Sequence, residues 1–127
     1  MGQRYLLDTN TILDFMGKKL PEESQVFLSE IIDDQINISA INKMELLGFS
    51  NVEQDLIDFV GFSEIYHIDD NIIDQTIELR KKYKIKLPDT IIAATAIVHN
   101  FTLISRNFKD FQKITELRYI NPYLPLS

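Results

Sequence analysis

Short apolar runs alternate along this chain with longer stretches whose apolar residues recur every three or four positions, which predicts strand and helix in turn. Arg4 to Asp8 reads as a buried strand and Thr9 to Phe15 as the start of a helix, with the loop Gly17-Lys18-Lys19-Leu20-Pro21 behind it. Pro21 suits the first turn of a second helix, whose stripe of Val26, Phe27, Ile31 and Ile32 runs to about Asp33. Asp34-Gln35 turns the chain and Ile36 to Ser39 alternates like a short strand. Ser39 can then cap a helix carrying Ile41, Met44, Glu45 and Leu47. Val52 to Val60 predicts another helix, with Leu56, Phe59 and Val60 inward, and Ile65 to Ile68 a strand. Asp69 caps a helix with Ile72, Ile73, Ile77 and Leu79 on or near one face. Asp89 opens the helix Thr90 to Asn100, Phe101 to Ser105 is a strand, and Tyr119-Ile120 is a last one. The tail from Pro122 to Ser127 is expected to be loose.

This alternation argues for the α/β class, with a mainly parallel central sheet of four or five strands flanked by helices. The 127 residues make one domain on size, spanning 1–127 without repeat or linker. Ligands of open parallel sheets bind at the carboxyl ends of the strands. Asp8, Ser39 and Ser105 stand at three such ends.

Charge narrows the picture. Nineteen acids against thirteen bases give a net charge of -6, which opposes a general electrostatic footprint for nucleic acid. A local basic rim beside an acidic, metal-loaded centre remains compatible with it. There is no cysteine, so disulfides, thiolate zinc sites and cysteine nucleophiles are excluded together. Arg4 and Asp8 come too early for a secretory apolar region, and Met1-Gly2 lacks the downstream Ser or Thr of a myristoylation signal. No apolar run approaches the roughly 20 residues of a membrane span; the best candidate, Ile91 to Val98, is short and contains Thr95. These features predict a soluble protein of the cytoplasm with no membrane partner.

The candidate chemistry lies in four separated segments, Leu6-Leu7-Asp8-Thr9-Asn10, Lys43-Met44-Glu45-Leu46, Leu87-Pro88-Asp89-Thr90 and Ser105-Arg106-Asn107-Phe108-Lys109-Asp110. Each sits where an apolar element meets a polar boundary. Singly, Asp8 and Asp89 read as helix-start residues and Glu45 as a solvated helix face. Together they suggest a site for a hard cation, because clustered carboxylates repel. At ~4 Å and an effective dielectric of ~20 each pair costs about 4 kcal/mol before solvent and proton uptake relieve it.

With these motifs on view, the chain resembles the PIN-domain ribonucleases and, more closely, the VapC-type toxins of bacterial and archaeal toxin–antitoxin modules. The resemblance covers nearly the whole chain. Leu6 to Asn10 is similar to the family's first acidic motif, and Ile38 to Leu46 to its second, with Glu45 six residues after Ser39. Leu87 to Ala96 resembles the third and is the most specific match, and Leu103 to Phe111 resembles the fourth. The resemblance implies a PIN-like three-layer α/β/α sandwich and a metal-dependent endoribonuclease. It also implies that Asp8, Glu45, Asp89 and Asp110 hold one or two Mg2+ or Mn2+ ions, which suit oxygen ligands, and that a metal-activated water attacks the phosphorus. Thr9, Asn10, Ser105 and Asn107 would orient the site through hydrogen bonds. The chain departs from many relatives at Asn107, where they carry aspartate. Asparagine can offer a carbonyl oxygen but no charge, so Asp110 is taken as the acidic member and Asn107 as its polar support. The implied partners are an RNA, transfer RNA being the family expectation, a cognate antitoxin, and a second copy of the chain in a homodimer. Phe27 with Ile31, or Phe59 with Phe62, could form that seam.

Arg106, Lys109 and Lys86 are the candidate RNA-phosphate contacts. The run Arg80 to Lys86 reads mainly as a complement to a helix C-terminus. Tyr83 and Phe108 could stack on an unpaired base, although core packing accounts for both, and His67 and His99 have no partner at ligand spacing. Two other function classes share a strand-end aspartate. A haloacid-dehalogenase-like phosphohydrolase would want an acid two positions after it, where Asn10 stands. A receiver-like Mg-binding signalling domain would want paired acids on the first strand and a late lysine, whereas Asp8 stands alone and Arg106 follows Ser105.

Overall fold

The computed structural model describes residues 3–126. In order, the elements are β1 (Tyr5–Leu7), α1 (Thr9–Met16), α2 (Glu22–Asp34), β2 (Asn37–Ser39), α3 (Ala40–Leu47), α4 (Gln54–Gly61), β3 (Glu64–Tyr66), α5 (Asp70–Lys82), α6 (Leu87–Val98), β4 (Thr102–Ile104), α7 (Phe108–Phe111) and β5 (Tyr119–Ile120). All strand pairs are parallel. β1, β4 and β5 form one sheet in the order β1-β4-β5, and β2 pairs with β3 in a second. β2 lies beside β1 without a backbone ladder. The Asn37 side chain joins them, its Nδ2 donating to the Tyr5 carbonyl at 3.0 Å. The expected central sheet of four or five strands is thus present as three strands and two, bridged by an amide.

The pleat of these strands builds the layers. Leu6 and Leu103 point into a core with Ile72, Leu79, Ile92, Ala93, Ala94 and Phe101, under α5 and α6. Their neighbours Leu7 and Ile104 point the other way, onto Ile12, Leu28, Ile38, Leu46 and Leu56 of α1 to α4. Successive side chains alternate faces on a strand, so strands of three residues suffice for an α/β/α sandwich. Each fully buried Leu or Ile in these layers contributes about 1.5–3 kcal/mol.

Several details depart from the sequence reading. Val26, Ile73 and Ile77 are exposed, while Ser24, Leu28, Ile72, Thr76 and Leu79 face inward. These helices turn a small polar residue toward the core and leave β-branched residues outside. Phe108, expected in the core, is also exposed. α6 begins at Leu87 rather than Thr90, which puts Asp89 inside its first turn and Lys86 at the N-cap. Pro21 is the N-cap of α2 and not part of its first turn. α7 was not expected; four residues are too few to show a helical period, and the burial of Phe111 anchors them. The tail is not loose between Pro122 and Leu126. Ser24 Oγ donates to the Pro122 carbonyl, Tyr123 OH to Asp14 Oδ2 at 2.9 Å and Leu126 N to Glu23 Oε1 at 3.0 Å. Met1, Gly2 and Ser127 lie outside the described residues. Among the described residues, no helix is long and apolar enough to cross a membrane.

Candidate metal-binding active site

Asp8 leaves the carboxyl end of β1 as the N-cap of α1 and is almost fully buried. A buried carboxylate needs donors, and four surround it. Oδ1 accepts from Thr9 N at 2.9 Å and from Asn42 Nδ2 at 3.1 Å. Oδ2 accepts from Ser105 Oγ at 2.7 Å and from Asn10 Nδ2 at 3.2 Å. Burial still dominates and, with the charge of Glu45, pushes the Asp8 carboxyl above its usual range despite these bonds.

Glu45 is delivered by α3, whose start is fixed by a reciprocal cap between Ser39 and Asn42. The Asn42 Oδ1 accepts from Ser39 N and Ser39 Oγ, which aims its Nδ2 at Asp8 and at Thr9 Oγ1. Thr9 Oγ1 in turn donates to Glu45 Oε1 at 2.6 Å. Asn42 therefore ties two of the acids together. The sequence reading missed it, although a polar residue three places after a helix-capping serine was the visible signal.

Asp89 sits in the first turn of α6, where the helix dipole favours an anion. Burial, followed by the charges of Asp8, Asp110 and Glu45, nevertheless pushes its carboxyl up to about 6, against the opposing pull of Lys86. Asn107 Nδ2 spans Asp89 Oδ2 at 3.4 Å and Asp110 Oδ2 at 3.5 Å. Asn107 is thus a donor between two acids, at long range to each. Ser105 Oγ accepts from Asn107 N at 3.0 Å, which anchors the turn before α7.

Asp8, Thr9, Asn10, Glu45, Asp89, Arg106 and Asn107 line one open pocket of about 440 Å³, together with Leu13, Asp14 and Lys19. Asp110 does not line this pocket, but its Oδ2 lies 3.5 Å from the same Asn107 Nδ2 that reaches Asp89, and its charge raises the Asp89 carboxyl. Lys86 and Lys109 do not line the pocket. Arg106 does, but not as a free cation, since its NH1 is 2.8 Å from Oδ2 of the buried Asp14. In the basic run Arg80 to Lys86, three cations are committed elsewhere, Lys81 to Glu78, Lys82 to Glu116 and Arg80 NH1 to the Ile85 carbonyl. His99 is the C-cap of α6, and its ring stacks on Phe101 and tilts against Tyr66, a structural role.

The donor set suits an oxygen-seeking divalent cation. Its carboxylates raise one another's proton affinity, the strain that a bound cation relieves. Among the described residues no three acids close into a ready-made metal cage. An open arc of carboxylates fits Mg2+, which keeps several of its own waters and needs few protein ligands.

A family model for the PIN domain matches residues 5–117. Among curated proteins, Ribonuclease VapC1 of Methanocaldococcus jannaschii is 29% identical over 119 residues, covering 89% of this chain and 82% of that protein. Among solved structures, the chain is similar to VapBC2 of Rickettsia felis bound to a promoter DNA fragment, with a TM-score of 0.76, 29% identity and coverage of 94% and 98% of the two chains. It is likewise similar to a toxin–antitoxin complex from Klebsiella pneumoniae, with a TM-score of 0.73, 33% identity and the same coverage.

Proposed function

As this chain belongs to the PIN-domain family, we propose that it is a metal-dependent endoribonuclease, the toxin of a toxin–antitoxin pair, formed of a single PIN-like domain. One observation carries the reading. Four segments distant in sequence bring the charges of Asp8, Asp110 and Glu45 to bear on Asp89, which burial and then these carboxylates push up to about 6. The ribonuclease name of one relative and the toxin–antitoxin complexes formed by others agree with it.

Asp8, Glu45, Asp89 and Asp110 would hold Mg2+ or Mn2+, with Asn107 as the polar support beside Asp110. When bound, such a cation supplies Lewis acidity toward both the phosphodiester and the attacking water. The chain's own residues do the positioning. Thr9 Oγ1 fixes Glu45, and Asn42 and Ser105 fix the two oxygens of Asp8. Asn10 steadies Asp8 and Ser105 together. Asn10 also counts against a haloacid-dehalogenase reading, because its amide donates to Asp8 and offers no acid–base group. Arg106, Lys86 and Lys109 are the candidate phosphate contacts on RNA, with transfer RNA as the expected class. An antitoxin is the expected protein partner. Homodimerisation through the α4 end, where Phe62 is 83% exposed, and residence in the cytoplasm complete the proposal.

The test is cleavage of cellular RNA by the purified chain with Mg2+ or Mn2+. Asp89→Asn and Asp8→Asn should each lose at least about a hundredfold in rate, the scale of losing an electrostatic catalytic group. Chelation should abolish activity and either metal restore it. Cleavage that persists in Asp89→Asn or in chelator would refute the assignment.

A further inference from the structure

We propose that Lys19 and Arg106 form a phosphate-binding edge along one side of the acid pocket, and that Asp14 is the residue that positions it. This rests on the ribonuclease reading and names where the RNA strand next to the scissile bond would lie.

Arg106 is held at two points by residues one turn apart on α1. Its backbone N donates to Asn10 Oδ1 at 3.1 Å, and its NH1 donates to Asp14 Oδ2 at 2.8 Å. Asp14 is 5% exposed. A second donor, Tyr123 OH, reaches the same Oδ2 at 2.9 Å. The Arg106 side chain, by contrast, is 54% exposed. Its NH1 is taken by Asp14, and the Tyr123 hydroxyl lies beside the guanidinium. The remaining donors of the planar fork stay available to an oxyanion.

Lys19 is brought to the same edge by the end of α1. Lys18 takes a left-handed turn with φ of 55°, and the chain folds back so that Lys19 N donates to the Asp14 carbonyl at 2.8 Å. Asp14 thus engages Arg106 through its carboxylate and Lys19 through its backbone. Both cations line the pocket that contains Asp8, Glu45 and Asp89. Burying a carboxylate is costly unless it is paired, and here the pairing fixes an exposed cation beside an anionic centre. An acid centre with a cationic edge is the charge pattern of a polyphosphodiester. The carboxylates would hold a cation that supplies positive charge toward one phosphate, and the neighbouring phosphate would rest on the basic edge. A chain of net charge -6 needs such a local edge to retain RNA.

The experiment measures binding of a labelled mixed-sequence single-stranded RNA across a salt series, in the Asp89→Asn background, with cleavage by the unsubstituted chain and by Asp89→Asn followed in parallel. Lys19→Ala and Arg106→Gln should each weaken binding and make the log–log salt slope shallower by about 0.7, the value for one phosphate contact on a single strand. Lys81→Ala, whose charge is paired with Glu78, should leave the slope unchanged. Asp14→Asn separates positioning from bulk charge. It removes an anion, so charge alone predicts tighter binding, whereas loss of the Arg106 anchor predicts weaker binding that Asp14→Glu recovers. Unchanged slopes in Lys19→Ala and Arg106→Gln, or tighter binding by Asp14→Asn, would overturn the edge. These two cation variants leave Asp14 charged, and Gln retains an amide donor toward it, so the slope test stands even if Asp14→Asn does not fold. Undiminished cleavage by Asp89→Asn would instead overturn the ribonuclease reading, a result separable from either outcome at the edge.

Discussion

At pH 7 Asp89 carries a charge that its surroundings oppose, because partial burial and the carboxylates of Asp8, Asp110 and Glu45 outweigh Lys86. Its folded pKa of about 6 exceeds the 3.8 of the free side chain. Between those values the folded state binds more protons than the unfolded one, so stability is greatest below the lower value and is lost as pH rises through the upper. Asp8 is shifted in the same direction. In chelator, the melting temperature should therefore rise when pH falls from about 7 to about 5, by about 4 °C or less after allowance for the half-exposed setting of Asp89. Asp89→Asn should flatten this dependence, and saturating Mn2+ should reverse its sign, since metal binds the deprotonated carboxylates. A melting temperature that falls on acidification in chelator would contradict the clustering. Asn42 gives a second measure at this scale. Its replacement by Ala removes a donor from the buried Asp8 and another from Thr9, which should cost about 1–3 kcal/mol in urea unfolding. Asn42→Asp should cost more in chelator and recover with Mn2+, because it adds a carboxylate beside Asp8.

Elements deliver these residues, and their ends matter more than their middles. α1, α3 and α6 each carry an acid at or near the first turns after a capped start or a proline. These starts were legible in the sequence, because Asp8, Ser39 and Pro88 are the residue types that begin helices. The C-terminal end of α3 adds a constraint that was not. A Cβ on Gly48 would lie 2.5 Å from the Met44 carbonyl oxygen, one turn back in the helix that bears Glu45. Gly48→Ala must displace backbone, so it should destabilise by about 1–3 kcal/mol and lower cleavage through the displacement of Glu45. Wild-type unfolding and activity in Gly48→Ala would show that α3 tolerates the shift. The buried faces of α2 and α5 were misjudged because local period identifies an apolar stripe but not its orientation. Ser24 and Thr76 can turn inward, since Ser24 reaches the Pro122 carbonyl and Thr76 Oγ1 donates to the Ile72 carbonyl.

Across the whole molecule, the two cores on opposite faces of the sheet hold the carboxyl ends of β1 and β4 at one edge, and the tail closes over α1 and α2. Pro122 is buried and Tyr123 reaches Asp14, so the tail is joined to the pocket edge. Truncation after Ile120 should remove the partners of Ser24 and Asp14 and lower stability by about 1–3 kcal/mol, measured by urea unfolding. It should also weaken RNA binding through Arg106. A truncated chain equal to the full one in both assays would show the tail to be passive.

The sequence alone determined the order of strands and helices apart from α7, the parallel α/β architecture, the carboxylates and their family, because these depend on local period, capping chemistry and a few strongly typed motifs. Tertiary structure alone decided what each charge meets. Arg106 stands next to Asn107 in the chain, yet its guanidinium pairs with Asp14 on another element. Asn42 looks like an ordinary cap residue until β1 brings Asp8 against it. Asp110 lies three residues from Asn107 in the chain, yet its charge acts on Asp89 at the start of another helix. Electrostatic environment depends on three-dimensional distance and burial, and neither is fixed by the residues adjacent along the chain.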